Sequence, residues 1–290
     1  MATEIAKPRN SYEEAFRALQ GNTQDSSASW LAHLRESAMD RFAELGFPSV
    51  KEEEWKYTNV APIARIDFRP VILPDAAGSG IDAQRLAGLG CVEAENSQLV
   101  FVNGALRNDL SSLTRLPEEV VAIDLSQAMT DDRYAQVERT HLARYADYVA
   151  NGFTALNTAF VSSGAFIYIP TGITVNTPIH LLFISDGAQM ASFPRVLIVA
   201  EENSSATLIE SHVSTQDVQY FTNAVVEVVL KDGARIEHYK VQRESVTAFH
   251  VATTVADLGS NASYDATTIT FGAALSRHDI NVTFDHAGAE

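Results

Sequence analysis

From residue 164 onward, apolar and polar positions alternate through GAFIYIPTGITV, TPIHLLFIS, PRVLIVA, ATLIESHV, NAVVEVVL, ARIEHYKV, FHVATTVADL, ASYDATTITF and RHDINVTF. A period of two over short runs predicts successive β-strands. A shorter figure recurs within this pattern, at residues 226–234 (VEVVLKDGA), 254–262 (TVADLGSNA) and 281–289 (NVTFDHAGA), preceded by a looser copy at 196–206 (VLIVAEENSSA). Each copy is an alternating run, a turn of Gly, Asn, Asp or Ser, and an alanine that opens the next run. Ala206, Ala234, Ala262 and Ala289 recur at about 28 residues, inside the range of solenoid repeats. A strand pair per repeat with no helix between predicts stacked β-coils, each burying its neighbour.

The first half follows the helical period. Tyr12, Ala15, Phe16 and Leu19 lie at i, i+3, i+4, i+7 behind a Ser11–Glu14 capping box and stop at Gly21. After a polar linker (NTQDSSAS), Leu31, Leu34, Ala38, Phe42 and Leu45 line a second helix ended by Gly46 and Pro48. A second capping box, Ser49 with Glu52, opens a brief turn over residues 51–59 (KEEEWKYTN). Pro62, Pro70 and Pro74 predict an irregular path, and Gly78 to Gly80 a loop. The run QLVFVNGAL around Asn103-Gly104 predicts one type I′ hairpin near 99–106. From residue 131 to about 160 the helical period returns, with Val137, His141, Tyr145, Tyr148 and Val149 on one stripe, then Phe153, Leu156 and Phe160 after a break at Asn151-Gly152. The expected architecture is α+β: a mainly helical domain over 1–160, then a β-helix over 161–290. That β-helix is expected to be incomplete, because residues 288–290 stand where another strand should begin.

Composition narrows the function. Net charge is −16, with the acid excess divided evenly between the halves, so extended nucleic-acid binding is not expected. The N-terminus has no apolar signal-like stretch and no run approaches ~18 apolar residues, so a cytoplasmic location without a membrane partner is expected. Asn203, Asn261 and Asn281 open N-x-S/T triplets that read as turn and strand residues. The single cysteine, Cys91, excludes an internal disulfide and a cluster or zinc site held by several thiolates of this chain alone; it reads as a small apolar residue. There is no P-loop, no complete G-x-G-x-x-G, no G-x-S-x-G and no H-E-x-x-H. No catalytic residue is therefore assigned.

His212, His238, His250 and His278 all fall in the solenoid. Glu210 and His238 each lie four residues past a repeat alanine, so one coil would stack them, and a stacked carboxylate and imidazole suit a metal or a proton. The plainer alternative makes these histidines surface-facing strand residues paired with neighbouring acids. Ala266 ends the ladder. A polysaccharide-acting enzyme is a third alternative, with Glu237 and Asp265 equivalent in adjacent repeats as an acid pair; Arg235, Lys231, Lys240 and Arg243 are scattered around it.

Several ordered motifs carry a resemblance: KEEEWKYTN at 51–59, ALNTAF at 155–160, FIYIP at 166–170, PIHLL at 178–182, PRVLIV at 194–199, EHYKVQ at 237–242 and LSRHD at 275–279. From about residue 30 to the C-terminus the chain resembles SufD, the scaffold subunits of the SUF iron-sulfur cluster assembly system; the paralogous SufB shares the fold and part of the pattern. The resemblance implies a right-handed parallel β-helix and a non-catalytic scaffold supporting cluster assembly and iron acquisition. It further implies pairing with a SufB-like subunit through the β-helix, a SufC-like ATPase bound through a C-terminal region, and a cluster present only transiently in the full complex, so no cofactor of this chain alone. Family members run further than this chain, through more coils, a D-x-x-C-x-H-G motif and the ATPase-docking helices. The chain is accordingly expected to be C-terminally truncated, to bind the ATPase poorly and to associate through its open end. Neither Cys91 nor His286 matches that motif, and Arg277 and His278 are signature positions without an assigned role.

Overall fold

A computed structural model describes residues 10–22, 29–72, 80–284 and 286–290. The interior of the polar linker, Pro74 and the start of the Gly78 loop lie outside these residues. The helical layer opens with α1 (Asn10–Asn22) and α2 (Ser29–Leu45). Tyr12, Phe16 and Leu19 of α1 are buried, as are Leu31, Ala38 and Phe42 of α2. The predicted box at Ser11 does not form: the helix already includes Asn10, and Ser11 Oγ is buried without a hydrogen-bond partner among the described residues. The box at Ser49 half forms, its backbone N–H donating to Glu52 Oε1 at 2.7 Å, and leads into a 3-10 turn at Glu53–Trp55. Gly46 ends α2 at φ 66°, the left-handed geometry of a helix C-terminus.

Short elements follow: α3 (Ala61–Arg65), β1 (Arg69–Pro70) and α4 (Ala83–Leu86), then β2 (Gln98–Val102) and β3 (Ala105–Leu106). The last two form the predicted hairpin, with Val102 opposite Ala105 and both Asn103 (φ 50°) and Gly104 (φ 89°) left-handed, as a type I′ turn demands. Next come β4 (Val121–Asp124), α5 (Leu125–Thr130), α6 (Ala135–His141) and α7 (Gly152–Ala159). The helical stripe expected to run on through Tyr145 and Tyr148 stops at His141. Ala143 turns left-handed at φ 57°, and the amides of Ala143, Tyr145 and Ala146 donate to the buried Glu227 carboxylate at 2.8, 2.9 and 3.1 Å. A distant side chain thus supplies acceptors that helix carbonyls would otherwise provide. Asn151 caps α7 through Phe153 N and Thr154 N, and Gly152 lies so close to α2 that a Cβ there would sit 2.1 Å from Gly46 O.

The remaining strands are β5 (Gly164–Ile169), β6 (Thr174–Ser185), β7 (Met190–Ser192), β8 (Arg195–Ala200), β9 (Ser205–Ser214), β10 (Phe221–Leu230), β11 (Arg235–Arg243), β12 (Phe249–Leu258), β13 (Ser263–Phe271) and β14 (Leu275–Thr283). They build two parallel sheets: β5, β8, β10, β12 and β14 in one; β2, β6, β9, β11 and β13 in the other. The stacked coils expected from the 28-residue repeat are therefore present, with the parallel pairing that the resemblance implied. Its burial explains the two kinds of strand in the sequence. β10 is buried at every position, because the helical layer covers the outside of its sheet, and reads as a near-continuous apolar run. β11 has an exposed outer face and alternates.

The alanine ladder needs one correction. Ala262 and Ala289 stack on Ala234, but Ala206 pairs with Ile236, because the coil from Ser205 to Arg235 is 30 residues long. Its two extra residues fall between the starts of β9 and β10, leaving the turns stacked. Asn203 (φ 55°), Gly233 (72°), Asn261 (56°) and Gly288 (74°) form a column of left-handed residues. Asn and Gly alternate there for a steric reason: a Cβ on Gly233 would meet Asn203 Oδ1 at 2.5 Å, and one on Gly288 would meet Asn261 Oδ1 at 2.3 Å. At one end antiparallel strands β3 and β4 terminate the parallel pairing. At the other, β13 is largely exposed and β14 mostly half-buried, and residues 287–290 begin to pair on β13, with Glu290 N donating to Ala262 O at 2.9 Å.

Candidate functional site

The solenoid interior changes character along its axis. Early coils fill it with Ile179, Leu181, Ile198, Leu208, Val226 and Val228. Later coils turn His238, Lys240, Gln242, Thr254 and His278 inward. The registry pairs Glu210 with Lys240, and His238 with Leu208. Glu210 and His238 are thus two residues out of the equivalence expected from the sequence, the same offset that displaces Ala206. They still meet diagonally, His238 Nε2 lying 3.1 Å from Glu210 Oε2. His212 Nε2 lies 2.6 Å from Glu210 Oε1, and the Lys240 ammonium donates to the same oxygen. His238 Nδ1 accepts from Tyr264 O–H at 2.8 Å.

Glu210 is therefore an ion buried among three donors, not a surface residue. Burial acts to raise its pKa, but Lys240 and the two imidazoles outweigh that and hold it well below the carboxylate range. His212 is pushed down to about 4, chiefly by burial and then by Lys240. Both imidazole Nε2 atoms aim at the carboxylate, and the third donor is a cation, so the arrangement compensates its own charge. Among the described residues no group of three or more His, Cys, Asp or Glu is arranged to hold a metal ion.

A second buried knot lies beside it. Glu244 accepts from Thr222 Oγ1 at 3.2 Å and stands 2.8 Å from His250 Nδ1, without hydrogen-bond alignment. Burial acts to raise the Glu244 pKa, but the adjacent His250 holds it at about 2. The His212 and His250 rings meet edge-on at 4.7 Å. His278 bridges the sheets in the last coil, Nε2 to Thr254 Oγ1 at 2.8 Å and Nδ1 to Thr268 Oγ1 at 3.2 Å; burial and then Lys240 push it down to about 3. Arg277 points the other way, onto Trp55.

Other sequence candidates sit apart. Glu237 and Asp265 do pair in register, but on the exposed outer face, where they line a 410 Å³ groove with Thr207 and Arg235; nothing desolvates them. Cys91 is half-buried, its thiol donating to Glu93 at 2.9 Å, and burial followed by that carboxylate pushes its pKa up, as befits an inert thiol. Sequence reasoning missed three features. Lys240 looked scattered; its signal was alternation with His238 and Gln242 on the inward face. His180, in PIHLL, is buried between Gln98 Oε1 and Ser211 Oγ at 2.8 and 2.9 Å. Arg195 and Glu227 form a fully buried pair at 2.5 Å, signalled only by charges inside apolar runs.

These contacts give the ordered motifs physical roles: ALNTAF forms the end of α7, whose Asn157 Nδ2 donates to Pro194 O and Asn223 O; PRVLIV carries Arg195; EHYKVQ carries His238, Lys240 and Gln242; LSRHD carries Arg277 and His278. Residues 6–181 match the family model "SufBD protein N-terminal region" and residues 183–290 match "SUF system FeS cluster assembly, SufBD core domain". The chain is 33% identical over 97% of its length to the iron-sulfur cluster assembly SufBD family protein slr0076 of Synechocystis sp., covering 61% of that protein. It is 27% identical to the Bacillus subtilis iron-sulfur cluster assembly protein SufD, over 74% of this chain and 49% of that one. Against SufB of the same organism the figures are 29%, 77% and 49%. The chain thus spans between about half and three fifths of the length of these relatives. Matched along nearly its whole length by the two models, it belongs to the SufBD family of the SUF iron-sulfur cluster assembly system.

Proposed function

We propose that this chain acts as a SufD-type scaffold component in iron-sulfur cluster assembly, without catalysis of its own. The observation that carries the reading is the parallel β-solenoid whose matches to the two SufBD models run along nearly the whole chain. Its later strands β13 and β14 carry exposed apolar side chains, Ile269, Phe271 and Ile280, with Phe271 60% exposed. An exposed apolar patch of this kind suits contact with another protein. The proposed occupant is a SufB-type subunit. Support for a non-catalytic role comes from the interior, where Glu210 is already bound by Lys240, His212 and His238. In this proposal the cluster is cargo held only in the assembled complex, and nucleotide hydrolysis belongs to a SufC-type partner.

Co-purification tests it. A tagged SufB-type subunit should retain residues 1–290, and Ile269→Lys with Phe271→Lys should lower retention more than tenfold while the far-UV spectrum stays unchanged. Equal retention of the double variant, or none of the parent chain, would defeat the proposal.

A further inference from the structure

A cavity between α2 and the segment at the end of α6 runs against the charge of the chain. It holds 420 Å³ and is lined by Trp30, His33 and Ser37 of α2 and, from the facing segment, by Arg139, Arg144 and Tyr148. The three α2 residues lie at i, i+3 and i+7, on one face of the helix. Among the described residues no Asp or Glu lines the cavity, although the chain carries 37 acids against 21 Lys and Arg. The groove along residues 44–55, by contrast, is lined by Glu44, Glu52, Glu53 and Glu54.

The donors of this cavity are free. Arg41 and Arg133 pair with Glu44 and Asp131 at 2.6 Å, but among the described residues the Arg139 and Arg144 guanidiniums pair with no carboxylate, and the His33 and Ser37 side chains make no hydrogen bond. Arg139 leans over the Trp30 ring at 5.9 Å from its centroid, near the outer limit of ~6 Å for such a contact. Asp147, the one acid between residues 139 and 148, accepts instead from the amides of Val149 and Ala150 at 2.7 and 3.2 Å. The facing segment is also fixed in place. Glu227 holds its amides at Ala143, Tyr145 and Ala146, and Arg41 Nε ties its far end to α2 through Val149 O at 2.5 Å. A site ordered in advance loses little entropy on binding.

Two guanidiniums, an imidazole and a hydroxyl suit a phosphate group, with its double charge and several acceptor oxygens. Trp30 and Tyr148 suit a planar ring. The volume falls within the range of about 300–1,000 Å³ usual for small-molecule sites and far exceeds an inorganic anion. We infer that this cavity binds a small organic phosphate of mononucleotide size whose body is a planar ring. Such binding does not depend on the scaffold role proposed above.

Titration calorimetry of residues 1–290 with AMP, inorganic phosphate and adenosine tests it. AMP should bind with a Kd on the order of 10–100 µM, as its size allows, and phosphate and adenosine about tenfold or more weakly. Arg139 and Arg144 are exposed, so their loss should spare the fold, and Arg139→Ala and Arg144→Ala should each weaken AMP binding about tenfold. Arg133→Ala, which removes an arginine already paired with Asp131, should leave the affinity unchanged. No saturation by AMP up to about 5 mM would overturn the inference. Equal losses in Arg133→Ala and Arg144→Ala would also overturn it, since they would mark general counter-ion attraction. Phosphate binding as tightly as AMP would overturn the role of the ring, and adenosine binding as tightly as AMP would overturn the role of the guanidiniums.

Discussion

Replacing Glu227 by Ala should be among the most damaging single changes in this chain. The carboxylate is fully buried and accepts from the Arg195 Nη2 at 2.5 Å and from three backbone amides at 2.8 to 3.1 Å. Deletion leaves a fully buried guanidinium with, among the described residues, only Asn157 Oδ1 and Thr158 Oγ1, at 3.0 and 3.2 Å. Breaking a buried pair from one side costs about 3–5 kcal/mol, and each buried amide left unpaired adds ~1 kcal/mol or more. Such costs do not add fully, because residues 142–147 can move and admit water, so the expected loss is about 5 kcal/mol. That compares with roughly 5–15 kcal/mol for the whole stability of a typical domain. Glu227→Gln keeps one acceptor for the amides and should cost about 2–3 kcal/mol. Arg195→Met with Glu227→Leu should be less destabilised than Glu227→Ala alone, since no charge is stranded. Urea unfolding followed by circular dichroism gives the three values, and hydrogen exchange should show residues 142–147 loosening first. A cost below about 1 kcal/mol for Glu227→Ala, or a double variant worse than the single, would refute the reasoning.

Acid should loosen the later coils. His212 and His278 are pushed down to about 4 and about 3 by burial, so their contribution is complete above the ordinary value near 6.5 and falls away as pH drops toward the lowered ones. Glu210 and Glu244 are held below the usual range; their contribution is present above about 4.5 and is lost as pH falls further. Stability should therefore decline from about pH 6.5 downward, and a flat denaturant midpoint between pH 7 and 4 would contradict this. Lys240→Met strands the Glu210 carboxylate between two imidazoles and should cost about 3 kcal/mol, recovered in part by adding Glu210→Leu; a double-mutant cycle reads the coupling. Gly233→Ala places a Cβ 2.5 Å from Asn203 Oδ1 at a φ of 72°, which should cost about 1–2 kcal/mol for the backbone and more for the clash. In an Asn203→Gly background the thermal midpoint should fall less for the same change.

Periodicity exposed most of the architecture, because burial geometry writes itself into alternation. A strand covered on both faces, such as β10, must be apolar throughout, and one with a wet face, such as β11, must alternate. The Asn103-Gly104 hairpin was legible because few residues tolerate two left-handed positions. Helix extent was less legible. Tyr145 and Tyr148 continue the stripe of α6, yet the chain leaves the helix at His141 because Glu227, 84 residues from Ala143, captures the amides. The histidine cluster was partly legible: residue types and equal spacing past the repeat alanines pointed to Glu210 and His238, but one coil two residues longer than its neighbours shifted the pairing to Glu210 with Lys240.

What the sequence by itself determined is local: strand period, turn chemistry, caps, the lack of nucleotide and multi-thiol motifs, and the ordered signatures that mark the family. Those depend on neighbours within a few residues, where backbone sterics and side-chain parity dominate. Registry, partnership and exposure were decided by the tertiary structure. Whether Glu210 is a solvated acid or a buried ion, whether Arg277 faces water or Trp55, and which strands pair with which all depend on segments that meet only after folding. The energies of those meetings, desolvation against charge pairing, depend on what surrounds each group in space.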